Sequence, residues 1–401
     1  MKIYNEEKLK AFKEKGDKKN VLIVSDAFYP LVGGATIVVD SLARSMSKFC
    51  NVIVVVPDGK GAEEFYKKID YPVIACKGFL ISKNIGCLGF PELDGKFKKT
   101  IKDLKIDVIH IHSYFKLAKF FIKFAKKRNI PLIIHGHSKF YEEYLRSSHS
   151  KLIAKMLTKG AMKQLNSADC VLPVSNGAFE RYNELGLKTK AIIVPNATEL
   201  EYFKDQQFID EMISKFNIDL DCKKLCFLSR ITKVKNIDLL VDMCQKLKLN
   251  KLNFKFYIIG FGEDENYLKD RVNKAGLDDV VKFLGKVTDK KIKSALMQVM
   301  DLFVFPSLVD TSCLVKYEFA SQKVPTLCVK NTGPSEDIID GENGYIAEAN
   351  GDSFANKVIE IFKDDKKYQE IKEKAYDSLG KSWDDVSLRL LQIYDEIIKN
   401  K

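Results

Sequence analysis

Short apolar runs alternate along the chain with stretches whose apolar positions recur at helical spacing. The first run, VLIVS at 21–25, ends in the loop DAFYPLVGGA. A helical pattern follows through Val38, Leu42 and Met46, and a second run stands at 52–56. Brief β-branched runs bounded by loops predict buried strands, so this order reads as a βαβ unit. Further strands are predicted at 73–75, 108–111, 132–134, 170–174 and 191–194, with helical stretches between them. Such alternation predicts a parallel sheet covered on both faces.

The pattern restarts after about residue 222. Strands are predicted at 225–228, 254–259, 281–283, 302–305, 326–329 and 344–346, with a helix over 236–248. Residues 196–221 then read as a linker. A last helix, about 384–398, follows the lone Trp383. A chain of 401 residues exceeds one ordinary core, and two domains of roughly 200 residues each are expected. Doubly wound sheets bind ligands beyond the carboxyl ends of their strands, which predicts a ligand cleft between two such domains.

Composition narrows the class. The chain is 46% hydrophobic and 30% charged, which predicts a folded domain rather than a disordered one. No apolar run is long enough to span a bilayer, and the charged N-terminus lacks the apolar core of a secretory signal. The nine cysteines are scattered, which fits reduced thiols in a cytosolic protein. Charge is uneven: residues 1–195 hold 34 Lys and Arg against 19 Asp and Glu, and the remainder 32 against 35. The basic half suits anionic lipid head groups or an anionic acceptor; lysines on ordinary solvated faces read the same way. The 116–128 stretch, KLAKFFIKFAKKR, sets Leu117, Phe120, Phe121 and Phe124 opposite lysines. That spacing fits a helix covering a sheet, or one lying on a membrane surface. Nothing in the pattern points to nucleic acid.

Four segments carry candidate chemistry. Gly33 and Gly34 lie between the first strand and its helix, where bare backbone admits an anion to a helix N-terminus; a tight turn uses the same residues. His110 and His112 share one strand face, and His135 and His137 follow the next strand. They read as a satisfied core pair or as cleft residues; no carboxylate shares their spacing, and no metal is expected. Arg230 and Lys235 sit on a strand-to-helix loop, where two cations can grip a diphosphate. Asp310 and Glu318 lie eight apart around a helix start, with the amides of Ser312, Cys313, Leu314 and Val315 near its N-terminus. Carboxylates suit sugar hydroxyls, and free amides suit phosphate.

In order along the chain, YPLVGGA, DVIHIH, IIHGHS, PVSNGA, VPNATELEYF, SRITKVKN, YIIGFGEDENYL, KFLGKV, DLFVFPS, Asp-x7-Glu and GPSEDIIDGENGYI resemble the family 4 glycosyltransferases. The resemblance implies the GT-B fold, an α/β architecture of two Rossmann-like domains facing across a cleft. It implies a domain over 1–200 on the acceptor side, a nucleotide-sugar domain over 201–382, and a helix over 383–401 that crosses back to the N-terminal domain. It also implies transfer of a sugar from a UDP- or GDP-sugar, with retention and without a metal or other cofactor.

Roles follow by position. Gly33 and Gly34 match the loop near the donor phosphate and acceptor, and His137 a histidine near the donor sugar. Arg230 and Lys235 match the diphosphate cations. Gly260, Gly262 and Val287 match segments near the base, and Glu318 the carboxylate on the ribose. Where the family has Glu-Gly-Phe-Gly-Leu-Val, this chain has Asp310-Thr311-Ser312-Cys313-Leu314-Val315. Asp is shorter by about 1.5 Å, and the loop loses glycine freedom. The substrates implied are a nucleotide sugar and a glycan, glycolipid or other hydroxyl acceptor. Cell-surface polysaccharide or glycolipid assembly in the cytoplasm, at the inner membrane face, fits that set. A non-catalytic subunit of a transferase complex and a nucleotide-sugar epimerase are the alternatives.

Overall fold

The computed structural model describes all residues except 14–15, 31–32, 60, 83–85, 138–139 and 311, and for 80–82, 86, 142, 146 and 147 the backbone alone. Leu31 and Val32 of the glycine loop, and Thr311 of the Asp310 segment, thus lie outside the described residues. By its internal contacts the chain forms two units: Met1–Asn196 with Trp383–Lys401, and Ala197–Ser382.

The first unit is built on a seven-stranded sheet. Its strands are β1 (Lys2–Tyr4), β2 (Asn20–Val24), β3 (Asn51–Pro57), β4 (Val73–Cys76), β7 (Val108–Ile111), β8 (Leu132–Gly136) and β9 (Cys170–Pro173), in the order β1-β4-β3-β2-β7-β8-β9. A two-stranded ribbon, β5 (Gly78–Ser82) and β6 (Gly86–Gly89), stands apart from it. Every pair in the large sheet is parallel except β1 with β4. Its central strands are buried throughout because helices cover both faces, which is why they read as unbroken apolar runs. β1 escapes the hydrophobic pattern: it is three residues long, KIY, and half exposed at the sheet edge. The strand predicted at 191–194 is only a bridge from Ala191 to Val171, too short to form a ladder.

The Lys116–Arg128 helix turns Leu117, Ala118, Phe121, Ile122 and Ala125 into the core. Its apolar face therefore belongs to the sheet, and the membrane-surface reading of that helix is set aside. The final helix, Trp383–Lys399, packs on the Gly34–Met46 helix. Ser45 donates to Asp384 at 2.6 Å, and Lys48 pairs with the same carboxylate at 2.8 Å.

The second unit has six parallel strands. They are β10 (Lys223–Leu228), β11 (Phe254–Ile259), β12 (Val281–Gly285), β13 (Leu302–Phe305), β14 (Thr326–Val329) and β15 (Tyr345–Ala347), ordered β12-β11-β10-β13-β14-β15. Residues 196–221 are not simply a linker: Gln206–Phe216 is a helix whose Ile209 and Met212 are buried in this unit's core. Among the described residues, no helix is long and apolar enough to cross a membrane.

Candidate active site

In the second unit the loops after β10, β11 and β13 are tied together at the carboxyl end of the sheet. After β10 the chain passes Ser229–Thr232, makes one 3-10 turn at Lys233–Lys235, and enters the Ile237–Leu249 helix through Asn236. Lys235 Nζ lies 2.6 and 2.8 Å from the two oxygens of Asp310. The Asn236 side chain donates to the Pro306 carbonyl at 3.2 Å. Arg230 is exposed, and among the described residues it has no ion pair.

The loop after β11 presses on the loop after β10. The Ser229 amide donates to Ile259 O at 3.2 Å, and the Ile231 amide to Phe261 O at 3.0 Å. A Cβ on Gly260, whose φ is +146°, would stand 1.9 Å from Ser229 O. One on Gly262 would stand 2.0 Å from Ile231 O. Packing alone thus demands both glycines, whatever ligand they approach. Val287, after β12, is half-buried against the same core.

The segment after β13 carries the two carboxylates. Ser307 is fully buried, and its hydroxyl has no partner among the described residues. The Leu314–Ser321 helix starts at Cys313 without a side-chain cap. The amides of Leu314 and Val315 are first-turn donors with no intrahelical acceptor. Glu318 is the fifth helical residue, just over one turn in, because the helix begins at Leu314 and not beside Asp310. Ser312 is half-buried in the lead-in. Burial pushes the Cys313 thiol up to about 12, which makes it a packing group and no nucleophile.

Two lysines here carry no signal in the sequence. Lys293, on the Lys290–Val299 helix, pairs with Glu318 Oε1 at 2.7 Å. Lys316 is fully buried: its Nζ donates to Pro334 O at 2.9 Å and lies 3.0 Å from Asp337 Oδ2. The Tyr317 hydroxyl donates to that same carboxylate. This cluster fastens the helix to the Gly333–Asp337 segment. Both residues read as ordinary solvated lysines, and only the fold turns them inward.

In the first unit, Gly33 is the N-cap of the Gly34–Met46 helix. Among the described residues, a Cβ on Gly33 or Gly34 would meet nothing within 4 Å. Packing among those residues therefore does not require these glycines. The four histidines form one group. His110 and His112 have ring centroids 4.3 Å apart, His135 stacks on His137 at 4.4 Å, and His112 Nδ1 lies 2.9 Å from His137 Nε2. His110 Nδ1 meets the Tyr394 hydroxyl at 2.7 Å. Yet Nε2 of His110, Nε2 of His112 and both ring nitrogens of His135 are buried with no partner among the described residues. The expected satisfied core pair is thus incomplete.

Burial holds these rings neutral: His110 is pushed down to about 3, His137 to about 4, and His112 and His135 well below the ordinary value. Neutral imidazoles can take hydrogen bonds from sugar hydroxyls or ligate a cation. His110, His112 and His135 each offer a ligand atom within 4.8 Å of the others. His137 is the partly exposed member of the group.

Two family models cover most of the sequence. The model described as glycosyl transferases group 1 matches residues 208–378, and that of glycosyltransferase family 4 matches residues 32–202. The chain is a group 1 glycosyltransferase. The enzyme is 24% identical over 341 residues to alpha-monoglucosyldiacylglycerol synthase of Acholeplasma laidlawii, covering 82% of this chain and 84% of that one. It is 27% identical over 294 residues to lipopolysaccharide 1,2-N-acetylglucosaminetransferase of Salmonella typhimurium, covering 69% and 74%. Among solved structures, Anabaena HepE in complex with UDP superposes with a TM-score of 0.74 at 17% identity, covering 94% of the enzyme and 100% of HepE. Sucrose-phosphate synthase of Thermosynechococcus elongatus gives 0.72 at 16%, covering 96% and 100%. The enzyme therefore has the GT-B fold.

Proposed function

We propose that this glycosyltransferase moves a sugar from a UDP-sugar, with retention and without a metal ion, to a hydroxyl of a glycolipid or lipid-linked glycan at the inner face of the cell membrane. The donor class is supported by the cations and amides around the β10 and β13 loops. Among the described residues Arg230 has no ion pair, Lys235 is held in place by Asp310, and the amides of Leu314 and Val315 are unsatisfied within their helix. A diphosphate entering there takes Lys235 from Asp310 and gains the amides and Arg230 as further donors. Glu318, steadied by Lys293, has its second oxygen for the ribose hydroxyls. UDP is favoured over GDP because HepE is solved with UDP and with UDP-glucose. A lipid acceptor is favoured by the named product of the Acholeplasma relative and by the basic N-terminal half.

In the reaction, the bond from the anomeric carbon to the diphosphate oxygen breaks as the acceptor hydroxyl attacks from the same face. The acceptor proton passes to the departing oxygen. Arg230, Lys235 and the helix amides stabilise the charge that grows on the diphosphate, and His137 contacts the sugar. Hydrolysis of a panel of UDP- and GDP-sugars identifies the donor. With that donor, Arg230→Ala and Lys235→Ala each lower turnover by about 10²–10³. Activity within a few fold of the parent enzyme would remove these roles. Turnover is expected to survive exhaustive chelation. A stoichiometric bound metal whose removal stops turnover would instead place a cation among His110, His112 and His135.

A further inference from the structure

The Lys151–Leu165 helix in the first unit has an unusual outer face. Ala154, Thr158, Ala161, Met162 and Leu165 point into the unit. Leu152 is 79% exposed, Met156 64%, Ile153 41% and Leu157 40%. At 100° per residue these four fall on one continuous outward strip, and Lys151, Lys155, Lys159 and Lys163 form a row along its edge. Residues 144–168 hold five Lys and Arg and no Asp or Glu. The four lysines have no ion pair among the described residues. On the lysine side a cavity of about 340 Å³ opens between Tyr141, Met162 and Leu185, with Lys155, Lys159 and Arg181 around it. Arg181 is itself bonded to Glu184 at 2.8 Å, and among the described residues Lys155 and Lys159 have no ion pair.

An exposed apolar strip of this size is costly in water and needs a cover. We propose that the Lys151–Leu165 helix is the surface by which the enzyme docks on an anionic lipid bilayer. Leu152, Ile153, Met156 and Leu157 enter the interface, and the lysine row and the cavity take anionic head groups. The commitment to a bilayer rests on charge: a strip edged by a row of like charges repels a second copy of itself, and meets its complement at a negatively charged surface. The proposal builds on the lipid-acceptor reading above and names where the lipid surface is met.

The test uses the full-length enzyme and vesicles of phosphatidylcholine with and without phosphatidylglycerol. Flotation with the anionic vesicles at low salt, and release at high salt, is expected. Leu152→Ser with Met156→Ser should weaken binding on the order of tenfold or more. Lys155→Glu with Lys159→Glu should abolish the preference for phosphatidylglycerol. All four positions are exposed, so the variants should keep the parent melting temperature and rate of donor hydrolysis. Three outcomes would overturn the proposal: no binding to anionic vesicles by the parent enzyme, variants that bind like the parent, or a dimer that the serine variant dissolves. Each leaves donor hydrolysis, and hence the transferase reading, standing. Loss of hydrolysis in Arg230→Ala is a separate matter that this surface does not touch.

Discussion

Lys316 shows how a single residue changes meaning between sequence and structure. It is fully buried beside Asp337, with Pro334 O and the Tyr317 hydroxyl completing the cluster. Removing one member of a buried pair strands the other charge, so Lys316→Ala should cost about 3–5 kcal/mol. Replacing both with apolar groups of similar size, Lys316→Met with Asp337→Leu, should cost much less. Denaturant unfolding measures the difference; equal losses in the two variants would mean that the charges are not buried together. The paired carboxylates follow similar logic on a smaller scale. Asp310 and Glu318 were legible as candidate ligand groups from their spacing. Their partners divide: Lys235 lies on a motif, whereas Lys293 comes from a helix whose lysines all look alike until they are placed.

At the scale of elements, the glycines separate two kinds of constraint. Gly260 and Gly262 are fixed by backbone contact with the preceding loop, and Gly260 also by its positive φ. Gly260→Ala or Gly262→Ala should therefore destabilise the C-terminal unit by about 2–4 kcal/mol with or without nucleotide. A Cβ on Gly34, at the first helical position, would meet nothing within 4 Å among the described residues. Gly34→Ala should leave the melting temperature unchanged or raise it slightly, since alanine is the better helix former by up to about 1 kcal/mol. If the loop admits substrate, transfer should nevertheless fall. A variant that transfers normally would leave the glycine pair as a turn and nothing more. The sequence pattern marked both pairs, but periodicity cannot tell a glycine needed by a neighbouring strand from one kept clear for a ligand. The helices give the same lesson. Lys116–Arg128 and Lys151–Leu165 are both lysine-rich and amphipathic, and only packing shows that the first spends its apolar face on the sheet while the second leaves one outside.

At the scale of the whole molecule, the buried histidines make stability depend on pH. His110 and His137 titrate at about 3 and about 4 in the folded chain, against 6.5 for a free imidazole. Below pH 6.5 the unfolded chain binds protons that the folded one refuses, so stability falls as pH falls through that window. Asp26 acts in the opposite sense: burial raises it from 3.8 to about 6, and the folded chain takes its proton first. Four imidazoles outweigh one carboxyl, and the melting temperature should drop by several degrees between pH 7 and pH 5. His110→Phe should flatten that slope. A melting temperature that holds or rises on acidification would mean that the imidazoles are solvated or already charged.

The alternation of apolar runs with helical periods was enough to specify parallel sheets, because strands buried on both faces must be apolar throughout and need crossover helices between them. The ordered motifs were enough to specify the family. Sequence could not fix the edges of this design. β1 and the 191–194 segment are too short to show a period, and the helix inside 196–221 has an apolar face that needs its core to be recognised. Nor could it decide which lysines are buried, which glycines touch backbone, which imidazole nitrogens lack partners, or which amphipathic helix is left uncovered. Those properties belong to pairs of residues far apart in the chain, and only the tertiary structure brings such pairs together.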